Sequence, residues 1–132
     1  MRKEITEILE NISAGVPVAV IGDIMLDEYI IGDSTRISPE APEPIIEETE
    51  RRYIPGGAAN VAVNIKTLGG NPGLFGIIGK DAESGLFLSS LSETGVFDIG
   101  ILSKKDRPTT RKTRLIARGN QVLRVDRETT AP

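Results

Sequence analysis

The stretch from Gly56 to Gly79, GGAANVAVNIKTLGGNPGLFGIIG, constrains this chain more than any other segment. Glycines at four preset positions, Gly56, Gly57, Gly69 and Gly79, arise by chance about 10⁻⁵ of the time per starting point at ordinary glycine usage. Gly56-Gly57 reads as a turn at which backbone can approach a ligand with no Cβ in the way, and it runs directly into a helix over about 57–69. Asn60 falls in the first turn of that helix. Val61, Ile65 and Leu68 recur at helical spacing, Ala58, Ala59 and Ala62 permit close packing, and Gly69-Gly70 ends the element. The offsets suit a site for a polyol. For a lone diglycine, a glycine-capped amphipathic helix in some other α/β protein would be the better explanation.

Composition narrows the chemistry. The 132 residues are one domain's worth of material, with 39% hydrophobic and 27% charged residues, as expected of a soluble globular chain. There is no cysteine and no histidine, so disulfides, thiolate sites, imidazole bases and His-ligated zinc are all excluded. Chemistry must come from carboxylates, lysine, arginine, hydroxyls or backbone, and no metal site is expected. A net charge of −3 and 4% aromatic residues leave neither an electrostatic footprint nor stacking platforms for nucleic acid. The longest apolar runs, such as VPVAVI at 16–21, fall far short of a membrane span, and the charged amphipathic start MRKEITEILENI is unlike a signal peptide, so a cytoplasmic location is expected.

Pro17 to Ile21 is a continuous apolar run ending in Gly22-Asp23, which predicts a buried parallel strand with a polar tip, where ligands gather in open α/β sheets. Residues 29–55 carry three internal prolines and two short β-prone runs, at 29–31 and 44–48, and read as an excursion forming two strands of a small cover. A strand at 74–78, a helix at 81–93 with Asp81 as N-cap, and a strand at 97–102 follow. Thr109 to Arg118 alternates, Gly119-Asn120 turns, and Gln121 to Asp126 resumes, which is a hairpin. The predicted fold class is α/β: a partial Rossmann-like parallel sheet with flanking helices (core about 1–28 and 56–105) plus a small β-sheet lid (about 29–55 and 106–128).

Two carboxylates, Asp23 and Asp27, stand four residues apart just past the first strand, where either can accept hydrogen bonds from a vicinal diol. For Asp23, capping a turn through the backbone is an equal alternative. Pro39, Pro42 and Pro44 stiffen the segment RISPEAPEP, residues 36–44, as a connector. Lys112, Arg114 and Arg124 on the lid and Arg36 near its hinge are candidates for holding a phosphate, although each alone is the kind of charge that commonly decorates a solvated strand.

Gly56, Gly57, Ala58, Asn60, Ala62, Gly69 and Gly79 meet every constrained position of the first signature of the ribokinase-like (phosphofructokinase-B type) carbohydrate kinases, and the chain resembles that family over nearly its whole length. The strand end GDIMLD, the segment RISPEAPEP and the run TRKTR…Q…RVD resemble most the kinase domain of the enzymes that phosphorylate D-glycero-D-manno-heptose 7-phosphate at its anomeric hydroxyl, often fused to an adenylyltransferase. The resemblance implies sugar contacts from Asp27, Gly56, Gly57 and Asn60, with Asp23 as a further candidate. Many relatives have asparagine at the position of Met25, so that contact is missing or replaced here. ATP and Mg2+ are implied for the parent enzyme and neither for this chain alone. The family's catalytic base belongs to a Gly-Ala-Gly-Asp motif that is absent from these residues and is expected beyond Pro132. No catalytic residue is therefore assigned, and the isolated chain is expected to be inactive. A homodimer through the lid strands is implied as well. Two alternatives stay open: a ribokinase-like kinase for another sugar, and a non-catalytic sugar-binding or dimerisation module.

Overall fold

The computed structural model describes residues 2–13, 15 and 17–130. Pro132, the residue beyond which the catalytic base is expected, lies outside the described residues. Helix α1 (Arg2–Ser13) leads into strand β1 (Pro17–Ile21); β2 (Ile24–Ile37) and β3 (Pro44–Gly57) follow, then helix α2 (Ala58–Thr67), β4 (Asn71–Gly79), helix α3 (Ala82–Ser92), β5 (Phe97–Lys104), β6 (Thr110–Ala117) and β7 (Asn120–Arg127). Two sheets result. The first is parallel, with order β1-β4-β5, and the second is mixed, with order β3-β2-β6-β7. In the second, β2 pairs antiparallel with β3 and parallel with β6, and β6 pairs antiparallel with β7. The expected α/β architecture with a small β-sheet cover is the one observed.

The core lies between the sheets and the two later helices. Leu26, Leu74 and Phe87 are fully buried, joined by Ile24, Ala59, Ala62, Ile78 and Leu91. The small residues of α2 do what their size allows: Ala59 and Ala62 are buried, while Val61 and Asn60 face outward. On α1, by contrast, the apolar Ile5, Ile8 and Leu9 are exposed.

Three expectations need correction. The run Pro17–Ile21 is a strand with the expected bounds, but it is not buried, because β4 takes the central place and β1 pairs on one side only among the described residues. Val20 points inward while Ile21 is 78% exposed. The excursion is also longer than two short runs, since β2 and β3 are each 14 residues and Ile24–Glu28 and Gly56-Gly57 belong to the second sheet rather than to the core portion. Charged residues at 47–52 concealed that length, because β3 is an edge strand whose side chains there stay in solvent, where charge costs little. An edge position also tolerates Pro55, which has no N–H to give.

The junction between the sheets is tied at Asp81. As expected it caps α3, its Oδ1 accepting the Ser84 N–H at 3.0 Å. The same carboxylate also accepts from the Thr109 N–H at 2.9 Å and the Thr109 hydroxyl at 2.6 Å, and Thr109 Oγ1 in turn accepts the Gly79 N–H at 3.0 Å. One residue therefore joins the ends of β4, α3 and β6.

Burial works to raise the Asp81 pKa, but the hydrogen bonds from Thr109 and Ser84, with Arg127 nearby, outweigh it and hold the group below its ordinary value of 3.8. A carboxyl lowered on folding adds stability above its unfolded pKa and loses it as the pH falls through the folded one. Urea midpoints of the wild type and Asp81→Asn should therefore differ most at pH 6–7 and converge below about pH 4. A difference that stays constant down to pH 2.5 would contradict this account of the cap.

Candidate functional site

The site is built where the chain passes from β1 of the first sheet into β2 of the second, beside the end of β3. Met25 lies opposite Gly56, and Ile24 opposite Gly57, so the diglycine closes directly over the strand that carries Asp27. Side chains alternate along β2: Met25, Asp27 and Tyr29 share one face, and Leu26 and Glu28 point into the core on the other. On β6, Lys112 pairs in register with Asp27, and Arg114 with Tyr29.

The glycines make room for the protein's own groups. A Cβ on Gly56 would stand 2.4 Å from Asp27 Oδ2, so its absence makes room for the carboxylate. Gly57 has φ +60°, and a Cβ there would come within 2.3 Å of the Asp23 carbonyl oxygen. That carbonyl accepts the Ala58 N–H at 2.9 Å and so begins α2, for which Gly57 supplies no side-chain cap. Asp23 thus acts on the turn through its backbone, while its side chain is exposed. It also lines a cleft of about 380 Å3 with Met25, Arg107, Thr110 and Glu128–Thr130. Asn60 stands exposed on the first turn of α2, next to the diglycine.

Of the four cations proposed for phosphate, three already hold carboxylates. Arg36 pairs with Glu47 at 2.7 Å and, nine residues beyond Asp27 on β2, sits roughly 30 Å away at about 3.3 Å per residue. It is not part of this cluster. Arg124 pairs with Asp126 at 3.0 Å on β7. Arg114 donates to Asp27 Oδ1 and lies 5.3 Å from the centre of the Tyr29 ring. Its hydrogen bond to Asp27 raises its pKa above the ordinary arginine value. Only Lys112 makes no ion pair among the described residues.

Sequence reasoning missed the charge network on the opposite face. Glu28 is 3% exposed. It accepts from the Thr113 hydroxyl at 2.6 Å and from Arg51 at 2.7 Å, with Arg111 Nε 3.6 Å away. Arg111 also donates to Glu83 on α3 at 3.0 Å, and Arg127 reaches the same Glu83 oxygen at 2.7 Å. The alternation of Arg111 and Thr113 with Lys112 and Arg114 was the available signal, but nothing local told which face would be buried. Arg107, whose Nε is buried with no hydrogen-bond partner, was also passed over.

The glycine geometry predicts an order of effects. Gly57→Ala, strained by both φ and a backbone collision, should lose more than ~1 kcal/mol in chemical denaturation. Gly56→Ala should lose less, because its φ lies outside the left-handed region and what it strikes is the side chains of Asp27 and Met25 rather than backbone. Gly85→Ala, within α3 and with open space around it, should gain about 0.5–1 kcal/mol. Equal losses at Gly56 and Gly57 would refute the distinction.

Comparison with known proteins agrees with this geometry. The family model described as pfkB family carbohydrate kinase matches residues 17–132. The chain is 45% identical over 120 residues to "Bifunctional protein HldE" of Hyphomonas neptunium, covering 91% of this chain and 25% of that protein. It is 46% identical over 112 residues to the protein of the same name from Magnetococcus marinus, covering 85% and 23%. The chain therefore spans about a quarter of the length of these curated relatives. Among solved structures, a carbohydrate kinase from Agrobacterium tumefaciens superposes with a TM-score of 0.66 at 23% identity, covering 83% of this chain and 34% of that one. Arabidopsis thaliana ribokinase complexed with ribose and ATP superposes with a TM-score of 0.63 at 21% identity, covering 85% and 36%. Both establish the ribokinase-like fold, and the match across residues 17–132 places this chain in the pfkB family of carbohydrate kinases.

Proposed function

We propose that this chain is the sugar-binding N-terminal part of an ATP-dependent kinase that phosphorylates D-glycero-D-manno-heptose 7-phosphate at its anomeric hydroxyl, in the cytoplasm. The observation that carries the reading is the corner itself: a half-buried Asp27 carboxylate, 18% exposed, set beside the diglycine from which Asn60 projects. An ionised acceptor bonds hydroxyls more strongly than a neutral one, and a covered site strengthens the bond further. The resemblance to the HldE relatives favours the heptose phosphate over other sugars. Lys112, opposite Asp27 in register and free of an ion pair among the described residues, is the cation best placed to meet the phosphate.

ATP supplies the phosphoryl group in this reading, and magnesium accompanies it in the parent enzyme. The reading gives these residues no role toward either. They bind and orient the sugar. The base that takes the hydroxyl proton is assigned to the parent enzyme beyond Pro132, and the isolated chain performs no transfer.

In the parent enzyme, Asp27→Ala or Asn60→Ala should weaken heptose 7-phosphate binding by roughly tenfold to a hundredfold, the usual consequence of losing a charged or buried hydrogen-bond partner. ATP binding should stay nearly unchanged. Isothermal titration with each ligand separately checks this, and equal losses for both would indicate misfolding instead of a lost sugar contact.

The reading includes a homodimer through the lid. Strand β7 is exposed along its length, and Val122, Leu123 and Val125 leave apolar side chains on a strand edge that pairs on one side only among the described residues. Light scattering across a dilution series should give twice the monomer mass, with hydrogen exchange slow in β7. A monomer with fast exchange throughout β7 would rule the lid contact out.

A further inference from the structure

Arg114 was a candidate for the sugar's phosphate, but its surroundings point to another task. Its guanidinium donates to Asp27 Oδ1 while lying 5.3 Å from the centre of the Tyr29 ring, the residue opposite it in the β2–β6 register. Such a cation is held on two sides, by charge at its edge and by an aromatic ring at its face. The pair is shielded, with side chains 21% and 18% exposed, whereas Arg36–Glu47 is 64% and 54% exposed. The second carboxylate oxygen is placed as well, because Oδ2 lies against Gly56, where a Cβ would be 2.4 Å away. Arg114 on one oxygen and the bare Gly56 backbone beside the other fix the Asp27 carboxylate.

We propose that Arg114 is a positioning residue: it clamps Asp27 through Oδ1 so that the remaining lone pairs of the carboxylate are presented to sugar hydroxyls, and it does not itself bind the phosphate. This rests on the sugar-binding reading above. A carboxylate fixed before the ligand arrives loses little rotamer freedom on binding. The consequence is specific. Arg114 acts on every ligand whose hydroxyls meet Asp27, phosphorylated or not, and only while Asp27 is a carboxylate.

The test is a double-mutant cycle read with two ligands. The chain, with Arg114→Gln, Arg114→Lys, Asp27→Asn and the double variant Arg114→Gln/Asp27→Asn, is titrated with D-glycero-D-manno-heptose 7-phosphate and with the unphosphorylated heptose. Arg114→Gln should weaken both ligands by a similar factor, about tenfold, Arg114→Lys should recover part of it, and in the Asp27→Asn background the Arg114 change should add less than about twofold. A loss confined to the phosphorylated sugar, and persisting in the Asp27→Asn background, would overturn the proposal and return Arg114 to the phosphate. If the wild type bound neither sugar, the sugar-binding reading would fail. The clamp is then judged alone, by the nitrogen NMR signal of the Arg114 guanidinium, which should shift on Asp27→Asn. A signal that ignores that substitution overturns the clamp.

Discussion

The buried carboxylate of Glu28 is the constraint around which the second sheet is arranged. A charge taken out of water is tolerated only if partners surround it, and here Thr113 on β6 and Arg51 on β3 donate hydrogen bonds to it while the Arg111 guanidinium, also on β6, stands as an ion pair at 3.6 Å. Those partners sit on the strands that flank β2, so satisfying Glu28 also sets the register on both sides. Asp27 is the next residue and must face the other way. A slip of one residue in β6 would carry Thr113 away from Glu28 and Arg114 away from Asp27 together. The requirement to neutralise a buried charge on the core face thereby places the candidate sugar ligand on the open one.

The same network joins the cover to the core. Arg111 spans from Glu28 to Glu83 on α3, Arg127 meets the same glutamate from β7, and Asp81 holds Thr109 at the start of β6. Three strands of the second sheet are thus connected through ions to a helix that packs against both sheets. Where the sheet extends beyond this grip, at Arg36–Glu47 and along β7, its charges pair with one another in solvent, where such pairs add little stability.

The diglycine shows that a family signature can carry a structural requirement beside the one read from the sequence. Its pattern identifies the pfkB family of carbohydrate kinases, and the family match bears that out. In this chain the missing Cβ atoms give space to the protein's own groups, the Asp27 carboxylate and the Asp23 carbonyl. The glycines serve the site by letting Asp27 lie where Arg114 can hold it.

Local patterns in the sequence determined the elements with local causes. The apolar run at Pro17–Ile21, the small-residue helix after Gly57, the Asp81 cap and the alternation on either side of Gly119-Asn120 each carry their own signal within a few residues, and all four are present in the structure. Family membership was legible for the same reason, since the signature is contiguous. Tertiary structure alone decided what depends on distant neighbours. The exposure of β1 follows from β4 taking the centre of the sheet, and the length of β2 and β3 follows from pairing that charged residues disguised. Arg114, the partner of Asp27, and Thr113, a partner of Glu28, stand 87 and 85 residues away in the chain. Spacing along a chain records periodicity, but which of two faces is buried, and which cation meets which carboxylate, is settled only when the strands register against one another.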